Sequence, residues 1–202
     1  MTRSVSSIKK RYILAAILVI AAAAAVLIVL AMRERNELKL SEFKSGENYC
    51  YQGIPWKSDA DTVEKMMKRS LEPILPPMYF NAGTVELDGH TASVEVEFTD
   101  GKQLSTVQFY FPSVMDEPSK DYSDIEKKAL EAFEKQYGES DRNTDTMGVD
   151  GLYHRSSGWY SESEDGLVTI LAVQARHNKQ RVIDLLIATG EVPREIWENM
   201  EK

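Results

Sequence analysis

An unbroken apolar run, Tyr12 to Met32, constrains this chain more than any other feature. Its 21 residues carry no charge. As a helix rising about 1.5 Å per residue it covers about 30 Å, the thickness of a bilayer's hydrocarbon core. The run predicts a transmembrane helix over 12–32, preceded by a tail, 1–11, and followed by a linker, 33–48. Arg3, Lys9, Lys10 and Arg11 lie before it with no acid among them, whereas Arg33, Arg35 and Lys39 after it alternate with Glu34 and Glu37. Basic residues packed against Tyr12, on a tail too short to be a domain, favour a cytoplasmic N-terminus. The rest of the chain is then expected outside a cell membrane that it crosses once. A cleaved signal peptide, cut after Val29-Leu30-Ala31, is the alternative and would secrete the same domain. Only the inverted orientation keeps the domain in the cytoplasm.

Charge narrows the partners. Of the 24 basic residues four precede the span, and none of the 32 acids does, so the remainder carries 20 bases against 32 acids, a net charge of −12. Such a surface repels phosphate backbones, which argues against nucleic acid. It also repels anionic headgroups, so the membrane is engaged through Tyr12 to Met32 alone. The single cysteine, Cys50, rules out an internal disulfide. It sits between Tyr49 and Tyr51 and reads as a small apolar core residue. An exported domain without disulfides suits a bacterium.

Past the linker the pattern is α+β. Residues 49–54 read as a short strand. Ser58 is the expected N-cap of a helix from Asp59 to Ser70, buried through Ala60, Val63, Met66 and Met67. The proline-rich stretch after it cannot continue the helix. Strands are expected over 84–87, 91–99 and 104–111, joined by Asp88-Gly89 and Asp100-Gly101. Ala92, Val94, Val96 and Phe98 alternate with Ser93, Glu95 and Glu97, which predicts an antiparallel sheet with one wet face. After a linker, Ser123 and Glu126 form a capping box for a helix over 124–137, ending at Gly138 and buried through Ile125, Ala129, Leu130 and Phe133. Residues 139–151 read as an exposed loop. Further strands are expected over 152–155, 158–162, 167–176 and 181–189, the strand 167–176 being apolar on both faces and so central. Ile196 and Trp197 would dock a terminal helical turn in the tail 191–202.

The element order suggests a tandem α-β-β-β repeat, units 49–112 and 113–190. The stretch GIPWKSDADTVEKM, residues 53 to 66, resembles the Gly-Ile-Pro-Trp-Gly-x-Ser entry to the first helix of small exported bacterial lipoproteins. Gly158-Trp159-Tyr160, followed by hairpin strands, resembles the second half of the same domains. The repeat is similar to the β-lactamase-inhibitor-protein-like and SmpA/BamE-like folds, which implies a scaffold for binding proteins. Lys57 stands where that pattern has glycine, and an apolar span stands where those proteins carry a lipidated cysteine.

No motif names a reaction, cofactor or metal. His90, His154 and His177 lack ligand spacing and read as turn histidines. Asp141-Arg142-Asn143-Thr144-Asp145 begins like a calcium loop, but Thr146 replaces the required glycine and Leu152 the bidentate acid. Tyr79, Trp159 and Tyr160 are the candidate partner-binding anchors, as exposed aromatics that a protein partner would cover. The leading expectation is a membrane-anchored, non-enzymatic module that binds another envelope protein or a peptide, or assists envelope assembly. The competing one is an envelope hydrolase built from distant acids, for instance Glu95, Glu97, Asp141 and Glu162.

Overall fold

The computed structural model describes residues 22–27, 36–162 and 167–194. Residues 22–27 are helical; the rest of the expected span, 12–32, and Ile196 and Trp197 lie outside the described residues. Among the described residues no helix is long and apolar enough to cross a membrane. The chain divides into two compact units, Met1–Glu37 and Leu38–Lys202.

The second unit is α+β with antiparallel sheets. A small hairpin, β1 (Lys44–Ser45) and β2 (Asn48–Tyr49), leads to helix α1 (Ala60–Met67). Four strands follow: β3 (Glu72–Leu75), β4 (Tyr79–Leu87), β5 (His90–Phe98) and β6 (Leu104–Phe111). Helix α2 (Ser123–Tyr137) then precedes β7 (Arg142–Met147), β8 (Tyr153–Glu162), β9 (Leu167–His177) and β10 (Val182–Pro193). Both halves build one eight-stranded sheet in the order β3-β4-β5-β6-β10-β9-β8-β7. Each half is thus a helix followed by a four-stranded meander, and the last strands of the two meanders pair at the middle.

Several sequence expectations are corrected here, each for a local reason. The proline-rich stretch holds β3 and the start of β4: its prolines stop a helix but are tolerated at a sheet edge. Residues 139–151 hold β7, whose polar side chains hide a strand that packs little of its surface. Residues 38–48, expected in the linker, enter the core instead, with Leu38, Leu40 and Phe43 all buried. Asp59 rather than Ser58 caps α1, accepting from the Thr62 N–H at 2.8 Å, while Ser58 donates to the Pro55 carbonyl. The capping box at α2 does not form. Asp121 takes the Ser123 N–H instead, and Glu126, 4% exposed, receives the Arg155 guanidinium at 2.7 and 2.6 Å.

The two expected turns also part ways. Asp88 and Gly89 have φ of 51 and 78°, the left-handed pair that a tight two-residue hairpin requires. At the second, the Thr99 N–H bonds to the Gln103 carbonyl at 2.8 Å and Lys102 takes the left-handed position, giving a three-residue loop.

Alternation fixes what each face does. Phe109, Phe111, Trp159, Leu171 and Leu185 point to one side, where α1, α2 and residues 38–56 cover them. Phe43 sits at the centre of that layer, its ring 5.3 Å from Tyr51, 5.4 Å from Phe109 and 5.3 Å from Phe133. It therefore touches β6 of the first half and α2 of the second.

The connection between the halves is held by one cation and one carboxylate. Arg181 donates from Nη1 to the carbonyls of Val114, Glu117 and Lys120 at 3.1, 2.8 and 2.7 Å, and from Nη2 to Met115 at 3.0 Å. Asp121 accepts from the Ser123 N–H and hydroxyl and from the Val182 N–H. Burial works against the ionised Asp121 carboxyl, but those hydrogen bonds and the Arg181 charge outweigh it and hold its pKa below the ordinary value. A carboxyl depressed by folding stabilises above its unfolded pKa of about 4 and loses that contribution as pH falls through the lower folded value. Asp121→Asn is therefore expected to be less stable than the parent at neutral pH, with the gap closing on acidification below about pH 4. Urea melts across pH, followed by circular dichroism, measure that gap; a difference that does not change with pH contradicts the assignment.

Candidate functional site

The sheet face opposite the helices is uncovered by any described element, and it is the candidate site. Its floor follows from the register. Glu72, Asn81, Glu95, Gln108, Ala188, Ala172, Gly158 and Arg142 stand opposite one another in turn across all eight strands. The next row runs Tyr79, Glu97, Thr106, Gly190, Ile170, Tyr160. In these two rows the small residues Ala188, Gly190, Ala172 and Gly158 cluster on β8–β10, whereas the row on the other side, Ser93, Tyr110, Leu186, Gln174, Ser156 and Thr144, is tall over the middle strands. Gly190 marks a close approach, since a Cβ there would lie 3.3 Å from the Ser105 carbonyl oxygen. The charges of this face are acidic over β3–β5, with Glu72, Glu86, Glu95 and Glu97, and mixed over β7–β10, with Arg142 and Arg176 beside Asp184 and Glu162.

Of the three expected anchors, two stand on this face, in the same row and five strand spacings apart, about 24 Å. Tyr79 is half-buried and donates its hydroxyl to Glu97 at 2.9 Å; that bond first, and the Glu97 charge second, hold the phenol above its ordinary pKa. Tyr160 is 36% exposed, and its backbone N–H donates to Asp141 at 3.0 Å. Trp159 belongs to the core instead and is corrected as a surface anchor. It is 1% exposed, donates its indole N–H to the Gly138 carbonyl at 2.9 Å and meets Phe133 edge-on. Neighbours on a strand point to opposite faces, so Trp159 and Tyr160 could not both be outside.

Next to the row sits a shallow concavity of about 560 Å³, lined among others by Tyr110, Thr144, Ser156, Gln174 and Leu186. A charged network closes one side. Arg176 donates from Nε to Asp184 at 2.7 Å and reaches Asp150 at 3.4 Å, and His154 meets Asp150 at 3.3 Å. Asp150 is held below its usual range, first by the Leu152 N–H and then by His154 and Arg176, against desolvation. At Gly148 a Cβ would fall 2.5 Å from His154 Nε2, so a side chain there would push that imidazole aside. Sequence reasoning missed Tyr110, Gln174, Arg176 and Asp184. Their signal was the polar alternate positions of β6, β9 and β10, which a strand-by-strand reading cannot assemble into one surface.

The four acids named for hydrolysis stand on β5, just before β7 and at the end of β8. Glu95 and Glu97 stand on β5, Asp141 holds the Tyr160 N–H, and Glu162 pairs with Arg194 at 3.1 Å at the far end of β8. The calcium-like stretch is mostly strand: Asn143 reaches Ser140 and Asp145 reaches His177. Among the described residues no group of acids, histidines or cysteine has a metal-holding arrangement. His177, read as a turn histidine, is 7% exposed; it accepts the Lys179 N–H on Nδ1, which leaves Nε2 to donate to Asp145 at 3.2 Å. Cys50 lines a second cavity, about 680 Å³, with Trp56, Glu162 and Glu191. Burial pushes its thiol above the ordinary pKa, which disfavours the thiolate a nucleophile needs.

Comparison with known proteins returns no matching family model, no similar curated protein and no similar solved structure.

The two neighbouring aromatics separate core from surface. Trp159→Ala is expected to cost about 3–5 kcal/mol. Tyr160→Ala is expected to cost under about 1 kcal/mol. Urea unfolding of both variants measures the difference; equal costs contradict the assignment of faces.

Proposed function

We propose that this chain is a membrane-anchored, extracytoplasmic binding module, non-enzymatic, whose bare sheet face docks another envelope protein. The span at 12–32 holds the module at the cell membrane, N-terminus inward, and its two helix-plus-four-strand halves are copies of one unit. The reading agrees with the binding-scaffold role implied by the resemblance of residues 53–66 and 158–160.

The observation that carries it is the row from Tyr79 to Tyr160. Aromatic side chains stand at its ends and Gly190 lies between them, with Ala188, Ala172 and Gly158 in the adjoining row. A low strip at Ala188, Gly190, Ala172 and Gly158, bounded by Tyr79, Tyr160 and the row through Tyr110 and Leu186, receives a protruding element, and tyrosine is enriched among residues that anchor interfaces. An antiparallel sheet tolerates a solvated face, so exposure alone is no argument; the shape and the placement of the tyrosines are.

Photocrosslinking in native membranes tests the reading. A crosslinking residue at Ala188, in the row, is expected to yield an adduct with a second protein. One at Lys127, exposed on α2, is expected to yield none. Adducts from both positions alike, or none from Ala188, contradict the docking face.

A further inference from the structure

We propose that β7 is a strand-addition site, and that it takes an extended segment of a partner protein carrying an acid opposite Arg142, a base opposite Asp145 and an apolar residue opposite Met147.

The two edges of the sheet differ. β3 contains Pro73, is followed by Pro76 and Pro77, and shifts register against β4 between Pro73 and Leu75. Prolines remove donors and a shifted register bends the strand, and both discourage pairing. β7 has neither. Its residues pair with β8 in unbroken register from Arg142↔Gly158 to Met147↔Tyr153. It contains no proline, glycine or lysine, and Asn143, Asp145, Thr146 and Met147 are exposed. In an antiparallel pair alternate backbone groups point away from the partner strand. Among the described residues none bonds to the outward groups of β7.

Charge selects the occupant. Arg142 lies on the bare face and has no ion pair among the described residues. Asp145 lies on the helix face and is exposed, with Arg155 opposite it on β8 and His177 bonded to it. Met147 is 64% exposed at the end of the strand. A second copy fits badly, because strands related by a twofold axis pair residues of like face. Pairing about Asn143 sets Asp145 against Asp141, and pairing about Asp145 sets that acid against itself. Pairing about Thr144 leaves Arg142 opposite Thr146, with no counter-charge. Like charges directly opposite destabilise and opposite charges stabilise. A foreign antiparallel segment meets all three demands at once, its backbone supplying the hydrogen bonds and its side chains the selectivity.

This edge borders the docking face and shares Arg142 with it, but the backbone groups it offers point out of the side of the sheet, so either reading stands if the other fails. The test uses the full chain in detergent and a fluorescent six-residue peptide with blocked ends. The peptide reads valine, threonine, lysine, valine, threonine, glutamate. A second peptide exchanges the lysine and the glutamate. Fluorescence anisotropy is expected to show the first binding on the order of tenfold more tightly than the second. Arg142→Glu is expected to remove or invert that preference, and N-methylation of alternate peptide amides to abolish binding. Absence of saturable binding by either peptide, equal affinities, or a preference unchanged in Arg142→Glu would overturn the proposal.

Discussion

The seam between β6 and β10 is the interaction on which the rest of the structure depends. Six register pairs, Thr106↔Gly190 to Phe111↔Leu185, join the two meanders into one sheet. Without them each half would expose a long strand edge in the middle of the molecule, which sheets avoid. The seam also sets faces. A one-residue slip would put the apolar faces of the two strands on opposite sides, turning out either Phe109 or Ile187, both fully buried, and bringing Gln108 or Ala188 into the core. The bare face exists as a single surface because this register holds.

Two features off the sheet secure the seam. Phe43 spans the halves from above, against Phe109 of β6 and Phe133 of α2. Arg181 gathers the carbonyls of the connecting segment just before β10, and Asp121 ties the start of α2 to Val182. Glu126 and Arg155 then clamp α2 to β8 through a pair whose carboxylate is nearly buried. Such a pair adds little net stability over a well-packed apolar one, but losing either partner strands a charge, so it fixes where the helix lies. The helix layer is committed to one side, and the opposite side is left bare.

Much of this was legible in the sequence, and the rest failed for identifiable reasons. The alternation of Ala92, Val94, Val96 and Phe98 and the Asp88-Gly89 turn are local signals, and both hold in the structure. The stripe Ile125, Ala129, Phe133 placed α2 correctly. β3 and β7 were missed because edge strands bury little and need no apolar pattern. Phe43 was missed because charges flank it, and two of its ring partners, Phe109 and Phe133, lie more than sixty residues away. Glu126 was read as a local cap because its partner, Arg155, arrives from another strand. The placing of the aromatics was legible in part: Tyr79 and Tyr160 are on the bare face and Trp159 is not. That the two tyrosines share a row depends on the seam, which no local pattern encodes.

Native-state hydrogen exchange under increasing denaturant tests the seam most directly. If the meanders form one sheet, the amides of Val94 and Phe109 in the first half share one opening free energy with those of Ile187 and Leu171 in the second. Two separate openings, with Val94 and Phe109 exchanging while Ile187 and Leu171 stay protected, would mean that each half folds alone and that no continuous face exists.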